Sequence, residues 1–191
     1  ISMFVIVTGV VLVNSNKFSS TILLNNFAYD VALTIKQAQT YGVNVRESVS
    51  GSFNAPYGVY FDIGPGGSIN NFILFNDIAG AGGFGPSNKI YDDSQTPCSA
   101  SNLECLQKYS MTKGTYIKSL CAGLNEMNCA SADQLSILFE RPDPGAKIYY
   151  KTSSGLLSGP ESYAKIVLSA VDNATSTVIV TKVGQIYVKK N

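Results

Sequence analysis

The sequence predicts an α+β fold, in which a long N-terminal α-helix, apolar and then amphipathic, packs on an antiparallel β-sheet. Two observations predict it. The first part of the chain up to Gly42 contains no proline and carries apolar residues at helical spacing. After Gly42 the pattern changes to short segments rich in aromatic and β-branched residues, separated by turn residues.

The predicted helix begins with a run of almost wholly apolar residues, 1–13. As a helix this run is roughly 20 Å long, at about 1.5 Å per residue. The hydrocarbon core of a bilayer is about 30 Å thick and needs about 20 apolar residues. Either the run does not span a membrane, or its beginning is missing.

From Phe18 onward the apolar residues form a single stripe. Their spacings of three and four are typical of a helix with one buried face; they are Leu24, Phe27, Val31, Ile35 and Ala38. Gly42 is expected to cap the helix. The sequence therefore predicts two parts, an apolar helix half over residues 1–26 and a globular domain over residues 27–191.

Alternating segments after Gly42 predict strands over 57–63, 72–77, 115–121, 134–140, 146–151, 163–171 and 176–190. GPGGSIN between the first two predicts a hairpin, and the last segment is expected to fold back at 182–184. The region 79–114 is expected to be a loop with one helical turn over 103–109. Together the segments predict an antiparallel meander that packs on the helix stripe.

The composition argues against an enzyme. The chain has no His, which removes the commonest general base and most transition-metal sites. A formal net charge of +1 also argues against a protein that mainly coats nucleic acid. We expect no catalytic residues, no cofactor and no metal site.

Four cysteines lie between positions 98 and 129, without a CxxC spacing. An even number in a short window is typical of two local disulfides in an oxidising compartment, and four free buried thiols are the alternative. Of the three possible pairings we predict Cys98–Cys105, which closes a short loop, and Cys121–Cys129, which a hairpin brings within reach.

An apolar rod that continues into an amphipathic helix ending in KQAQTYGV, followed by YGVYFD, FILFND and a terminal GQIYV strand, resembles the type IV pilin superfamily. Within it the chain is most similar to H-type minor pseudopilins of type II secretion and to FimT-like minor pilins. Pilins also share a basic leader, a Gly cleavage site and a Phe-Thr-Leu-Ile-Glu start, which this sequence lacks. If the chain is a pilin, roughly nine residues precede Ile1, and the apolar rod reaches about 22 residues.

The resemblance implies a structural subunit that waits in the cytoplasmic membrane and is then packed, with copies of itself, into an extracellular pilus on the cell surface. Its apolar helix would form the filament core, because lipid and a bundle of like helices both keep it dry. The core residues expected from this are Ile1, Phe4, Ile6, Val7, Gly9, Val10 and Val11.

Two other functions stay open from the sequence. The chain is alternatively a minor pilin or pseudopilin at a filament tip, in type II secretion or DNA uptake, or a solitary membrane-anchored binding domain. A cationic patch would bind DNA or a host surface in these cases. Its candidate residues are Lys182, Lys189 and Lys190, with Lys147, Lys151 and Lys165. The alternative is that these lysines are scattered and solvated on an antiparallel sheet.

Overall fold

The computed structural model describes the backbone of residues 2–44, 55–78, 88–91, 98 and 104–190, and their side chains from Ser20 onward. Over these residues the chain forms one helix and eleven strands. They are α1 Ser2–Val43, β1 Tyr57–Asp62, β2 Asn71–Asn76, β3 Cys105–Ser110, β4 Tyr116–Gly123, β5 Cys129–Ala132, β6 Gln134–Glu140, β7 Asp143–Lys151, β8 Leu157–Glu161, β9 Tyr163–Ser169, β10 Thr175–Thr181 and β11 Ile186–Lys190.

The strands form two antiparallel sheets. Sheet A has six strands in the order β3-β2-β1-β6-β7-β8, and sheet B has five in the order β11-β10-β9-β4-β5. In sheet A, β1 pairs with both β2 and β6, so Val59 lies opposite Leu74 on one side and Ile137 on the other. The chain crosses between the sheets three times, from β3 to β4, from β5 to β6 and from β8 to β9, and only Ser162 separates β8 from β9.

The predicted α+β fold, with a long helix packed on one sheet, is wrong. Strands account for 50% and helix for 17% of the residues whose side chains are described, and the strands form two sheets. The part of the helix whose side chains are described covers about 24 residues. The error has a physical cause, because alternation identifies a strand but does not reveal which strands share a sheet. The fold is mostly β.

Helix α1 fills the gap where the two sheets diverge. It contacts β1 and β6 of sheet A and β10 and β11 of sheet B, whereas the sheets meet each other through β4, β7 and their neighbours. The apolar helix residues buried in this gap are at most 1% exposed; they are Leu24, Ala28, Val31, Ile35 and Ala38. Phe27, which the sequence predicts on the buried face of the helix, is only partly buried at the edge of the core.

Side-chain hydrogen bonds from two residues of α1 mark the two ends of the domain. Near the start of the described part of α1, Ser20 Oγ donates to Asp172 Oδ2 in the β9–β10 turn at 2.5 Å. Near the end of α1, Gln39 Nε2 donates to the carbonyls of Pro144 at 2.8 Å and Gly184 at 3.3 Å. We call the end at Asp172 the proximal end and the end at Gly184 the distal end. About 28 Å of helix separates them.

The expected cap at Gly42 is wrong, because α1 continues through Val43. Gly42 lies directly against the backbone of Phe139 in β6, and a Cβ at this position would overlap the Phe139 carbonyl. The glycine therefore permits a close approach of the helix to sheet A rather than a left-handed turn.

Most predicted strands are present, and the hairpin between β1 and β2 is confirmed by their antiparallel pairing. The fold-back at 182–184 is also confirmed, since β10 and β11 pair across a turn in which Gly184 has a φ of +82°. The helical turn over 103–109 is wrong, because Cys105–Ser110 forms strand β3. Strands β5 and β8 were not predicted. The Gly-rich residues 79–87 lie outside the described residues.

Candidate functional site

The described part of α1 exposes apolar side chains on the face turned away from the core. Ile22, Tyr29 and Leu33 are 44%, 49% and 66% exposed. Their spacings of seven and four place them on one side of the helix, and we call them the α1 stripe. A stripe of this kind costs free energy in water and favours a partner that covers it.

An open groove with a volume of about 420 Å³ runs beside the α1 stripe, between the helix and the β3 edge of sheet A. The helix, strand β2 and edge strand β3 line it together, with Phe27, Asp30, Leu33, Thr34, Gln37, Phe72, Tyr109 and Ser110. Leu33 belongs to both the stripe and the groove. The two features therefore form one continuous surface.

Stacked aromatic rings from two neighbouring strands form the wall of this groove on the side of sheet A, and a buried ring from a third strand stacks on them. Phe61 of β1 stacks on Phe72 of β2 with centroids 5.6 Å apart, and Phe72 stacks on Tyr109 of β3 at 4.9 Å and an interplanar angle of 5°. The Tyr109 hydroxyl donates to Gln107 Oε1 at 3.1 Å and lies 3.5 Å from Gln37 Oε1 on the helix. Stacking and polar contacts within the chain therefore hold the wall in place.

The structure joins Cys98 to Cys105 and Cys121 to Cys129, with Cα atoms 5.1 and 5.6 Å apart. These are the two predicted pairings. Cys98 and Cys105 pack against a small apolar cluster on the outer face of sheet A, which includes Phe75 and Tyr91. The other disulfide closes the β4–β5 hairpin in sheet B.

The structure does not bring the six lysines of the predicted cationic patch into one place. Lys182 lies in the β10–β11 turn, while Lys190 lies opposite Ser176, about 20 Å of strand away. Lys189 forms an ion pair with Glu126 at 3.4 Å. Of the other three, Lys147 and Lys151 are in β7 of sheet A and Lys165 is in β9 of sheet B; Lys147 forms an ion pair with Glu140.

Tyr163 is a buried polar group that the sequence did not reveal. It begins β9, is 7% exposed, and its hydroxyl has no hydrogen-bond partner in the described structure. Burial raises the pKa of Tyr163 to about 12, and the charges of Glu126 and Tyr187 contribute further. No pattern in the sequence marks this residue, because its burial depends on neighbouring strands and on the β4–β5 turn.

The predicted filament-core residues Ile1, Phe4, Ile6, Val7, Gly9, Val10 and Val11 lie outside the residues whose side chains are described. All of them except Ile1 lie within helix α1 by their backbone. Within the described part of the chain, no helix is both long enough and apolar enough to cross a bilayer.

No family model, curated protein or solved structure matches the chain significantly. What the site can do must therefore be read from its geometry. Its apolar stripe, its groove and its stacked wall offer a surface that a partner can cover, at about 25 cal/mol for each Å² of apolar surface removed from water.

Proposed function

We propose that this chain is a structural subunit of an extracellular filament, and that copies of it assemble through helix α1. The observation that carries the proposal is the α1 stripe with its adjoining groove. Ile22, Tyr29 and Leu33 are large, apolar and exposed on a helix whose opposite face is fully used by the core. A second copy that covers this stripe removes an unfavourable contact with water.

The extent of α1 supports the same proposal. The helix begins at Ser2, whereas Leu24 is the first of its described side chains in the core. About 33 Å of helix precedes Leu24. The sequence of residues 1–13 is apolar on all sides, and a helix of that kind is stable in lipid or among other helices. We therefore place this segment in the cytoplasmic membrane before assembly and in the filament core afterwards.

The resemblance to type IV pilins supports assembly rather than catalysis, and the absence of His from the whole sequence is compatible with it. In this proposal the stripe extends the contact made by the apolar segment onto the folded domain. Neighbouring subunits would touch along the helix and in the groove, where Phe72 and Tyr109 form a preformed wall.

The test is Leu33→Asp, examined in cells that produce the full chain. Leu33 is 66% exposed, so the variant should fold, but it would place a charge in the covered stripe. We expect folded protein with few or no filaments by electron microscopy. The matched control is Leu157→Asp at the far edge of sheet A, where Leu157 is 40% exposed, and it should assemble normally.

Normal filaments containing Leu33→Asp would contradict assembly through the stripe. Gold-labelled antibody against the domain separates the alternatives in the same cells. Label along the filaments supports a repeated subunit, label at tips alone supports a minor pilin, and label on the cell body without filaments supports a solitary anchored domain.

A further inference from the structure

The β9–β10 turn at the proximal end carries a motif that the proposed function does not use. Asn173, Ala174 and Thr175 form the pattern Asn-X-Thr in which X is not proline. Asn173 is the only asparagine of the sequence that has Ser or Thr two positions later. In secreted proteins this pattern is the acceptor of N-linked glycans, which are attached to the asparagine side chain. Because so short a pattern also arises by chance, its position in the fold decides its meaning.

The turn that carries Asn173 projects from the surface of the domain. Val171, Asp172 and Asn173 are all exposed, and Val171 reaches 76%. The amide of Asn173 donates to the Ala170 carbonyl at 3.0 Å, and the amide of Ala170 donates to the Ala174 carbonyl at 3.0 Å. These two bonds close a hairpin loop of three residues between β9 and β10. A modifying enzyme can therefore reach Asn173 in the folded protein.

The turn holds its shape without using the Asn173 side chain. Both carboxylate oxygens of Asp172 accept hydrogen bonds, one from the amide of Ala174 at 3.2 Å and the other from Ser20 Oγ at 2.5 Å. In the described part of the chain, no residue forms a hydrogen bond with the Asn173 side chain. The side-chain amide is therefore available for a reaction that leaves the turn intact.

The backbone at Asn173 explains part of the motif but not all of it. Asn173 has a φ of +63°, in the left-handed region that favours Gly and, among other residues, Asn. This requirement accounts for position 173 and places no demand on Thr175, which begins strand β10 opposite Ser169. The hydroxyl at position 175 is the second feature that an N-glycan acceptor needs.

The two disulfides of the domain agree with a compartment in which glycans are added. Cys98–Cys105 and Cys121–Cys129 are bonds of the kind that form in secreted proteins and on cell surfaces. A chain that meets such conditions leaves the cytoplasm, where a lipid-linked sugar donor can reach an exposed turn.

We propose that Asn173 is the acceptor of an N-linked glycan. The donor is an oligosaccharide joined through a diphosphate to a lipid. A bond forms between Asn173 Nδ2 and the anomeric carbon of the first sugar, while the bond from that carbon to the diphosphate oxygen breaks. The amide loses one proton, and the lipid diphosphate leaves with the electron pair of the broken bond. This modification goes beyond the proposed filament function and does not depend on it.

The experiment uses the full chain, purified from the cells that produce it naturally. Trypsin cleaves after Lys165 and Lys182 and releases peptide 166–182, which contains the turn. We expect fragmentation mass spectrometry of this peptide to find a glycan on Asn173.

Three variants made in the same cells test the motif. Asn173→Gly suits the left-handed backbone but removes the amide, and Thr175→Val keeps a β-branched side chain but removes the hydroxyl. We expect both to lose the glycan completely. The matched control is Thr175→Ser, which keeps the hydroxyl and should keep the glycan. Non-reducing peptide mapping of both disulfides checks that each variant is folded.

Peptide 166–182 recovered only in its unmodified form from the unaltered chain would overturn the proposal. A glycan that persists in Asn173→Gly would overturn it as well, because the sugar would then be attached to another residue. Filaments of a chain without the glycan leave the proposed function standing, whereas a glycosylated chain that forms no filaments contradicts that function alone. The two failures are therefore distinguishable.

Discussion

Replacing Tyr163 with Phe should stabilise the protein. The Tyr163 hydroxyl is buried without a hydrogen-bond partner in the described structure, while the ring itself stays packed in the variant. An unsatisfied buried polar group costs about 1–3 kcal/mol, and removing it without changing the shape of the side chain recovers most of that cost. We expect the free energy of unfolding at pH 7 to rise by about 1–2 kcal/mol.

The gain should grow at alkaline pH, and the sign follows from the pKa. The pKa of Tyr163 is raised to about 12 in the folded protein, chiefly by burial, whereas the unfolded chain ionises at its usual value of 10.0. Below pH 10 the tyrosine is neutral in both states, and its ionisation does not affect the free energy of unfolding. Between pH 10 and about pH 12 only the unfolded chain ionises readily, so the free energy of unfolding of the wild type falls as the pH rises. At pH 11 this loss is about 1.4 kcal/mol, since each pKa unit corresponds to about 1.36 kcal/mol. The Tyr163→Phe variant does not lose this free energy, because it has no hydroxyl to ionise.

Urea unfolding of the full chain in mild detergent, at pH 7 and pH 11, measures both effects. Tyr29→Phe is the control, because Tyr29 is 49% exposed on α1 and is not among the groups that raise the pKa of Tyr163. We expect that variant to change stability by less than about 0.5 kcal/mol. A Tyr163→Phe protein that is less stable than wild type at pH 7, or that gains equally at both pH values, would refute the reasoning.

Two further predictions concern the packing of α1 and the β4–β5 hairpin. Gly42→Ala should lower the free energy of unfolding by about 2 kcal/mol, because its Cβ would overlap the Phe139 carbonyl, and unchanged urea unfolding would contradict the close approach. Replacing both Cys121 and Cys129 with Ala opens a loop with a sequence separation of 8. We expect this change to cost about 2.5 kcal/mol and to lower the melting temperature by about 6 °C, which scanning fluorimetry should detect.

Local patterns in the sequence predicted the individual strands better than their arrangement. Strands β1, β2 and β6 combine aromatic and β-branched residues, and each was predicted within about two residues. Their pairing was not predictable in the same way. β1 pairs with β6 across a long stretch of chain, and the last of the three passages between the sheets, from β8 to β9, occurs at Ser162 without any turn signal such as Gly or Pro at that residue.

The wrong and missing elements have local causes. In β3, Leu106 and Tyr109 are partly buried while Gln107 and Lys108 are exposed, so an edge strand shows the three-residue spacing of a helical turn. β5 has the sequence CASA, with no β-branched or aromatic residue, and it is fixed by pairing with β4 and by a disulfide. β8 contains Gly159 and Pro160, which argue against a strand in a sequence.

The sequence predicts one part of the candidate site but not the other. The cysteine pairings follow from short loops and were predicted correctly. The α1 stripe could have been found from the spacing of Ile22, Tyr29 and Leu33, once the buried face was assigned. The groove could not, because Phe72 and Tyr109 come from strands whose adjacency only the folded sheet reveals.

Assembly through the N-terminal part of α1 is the central claim, and Val7→Asp tests it most directly. A carboxylate at this position would cost several kcal/mol per subunit in a dry helix bundle, whereas Val7→Leu keeps the position apolar. Cells that produce each variant are examined by electron microscopy, and non-reducing peptide mapping checks both disulfides. We predict that Val7→Asp gives a folded, disulfide-bonded protein without filaments, and that Val7→Leu gives normal filaments. Normal filaments built from Val7→Asp would contradict the claim.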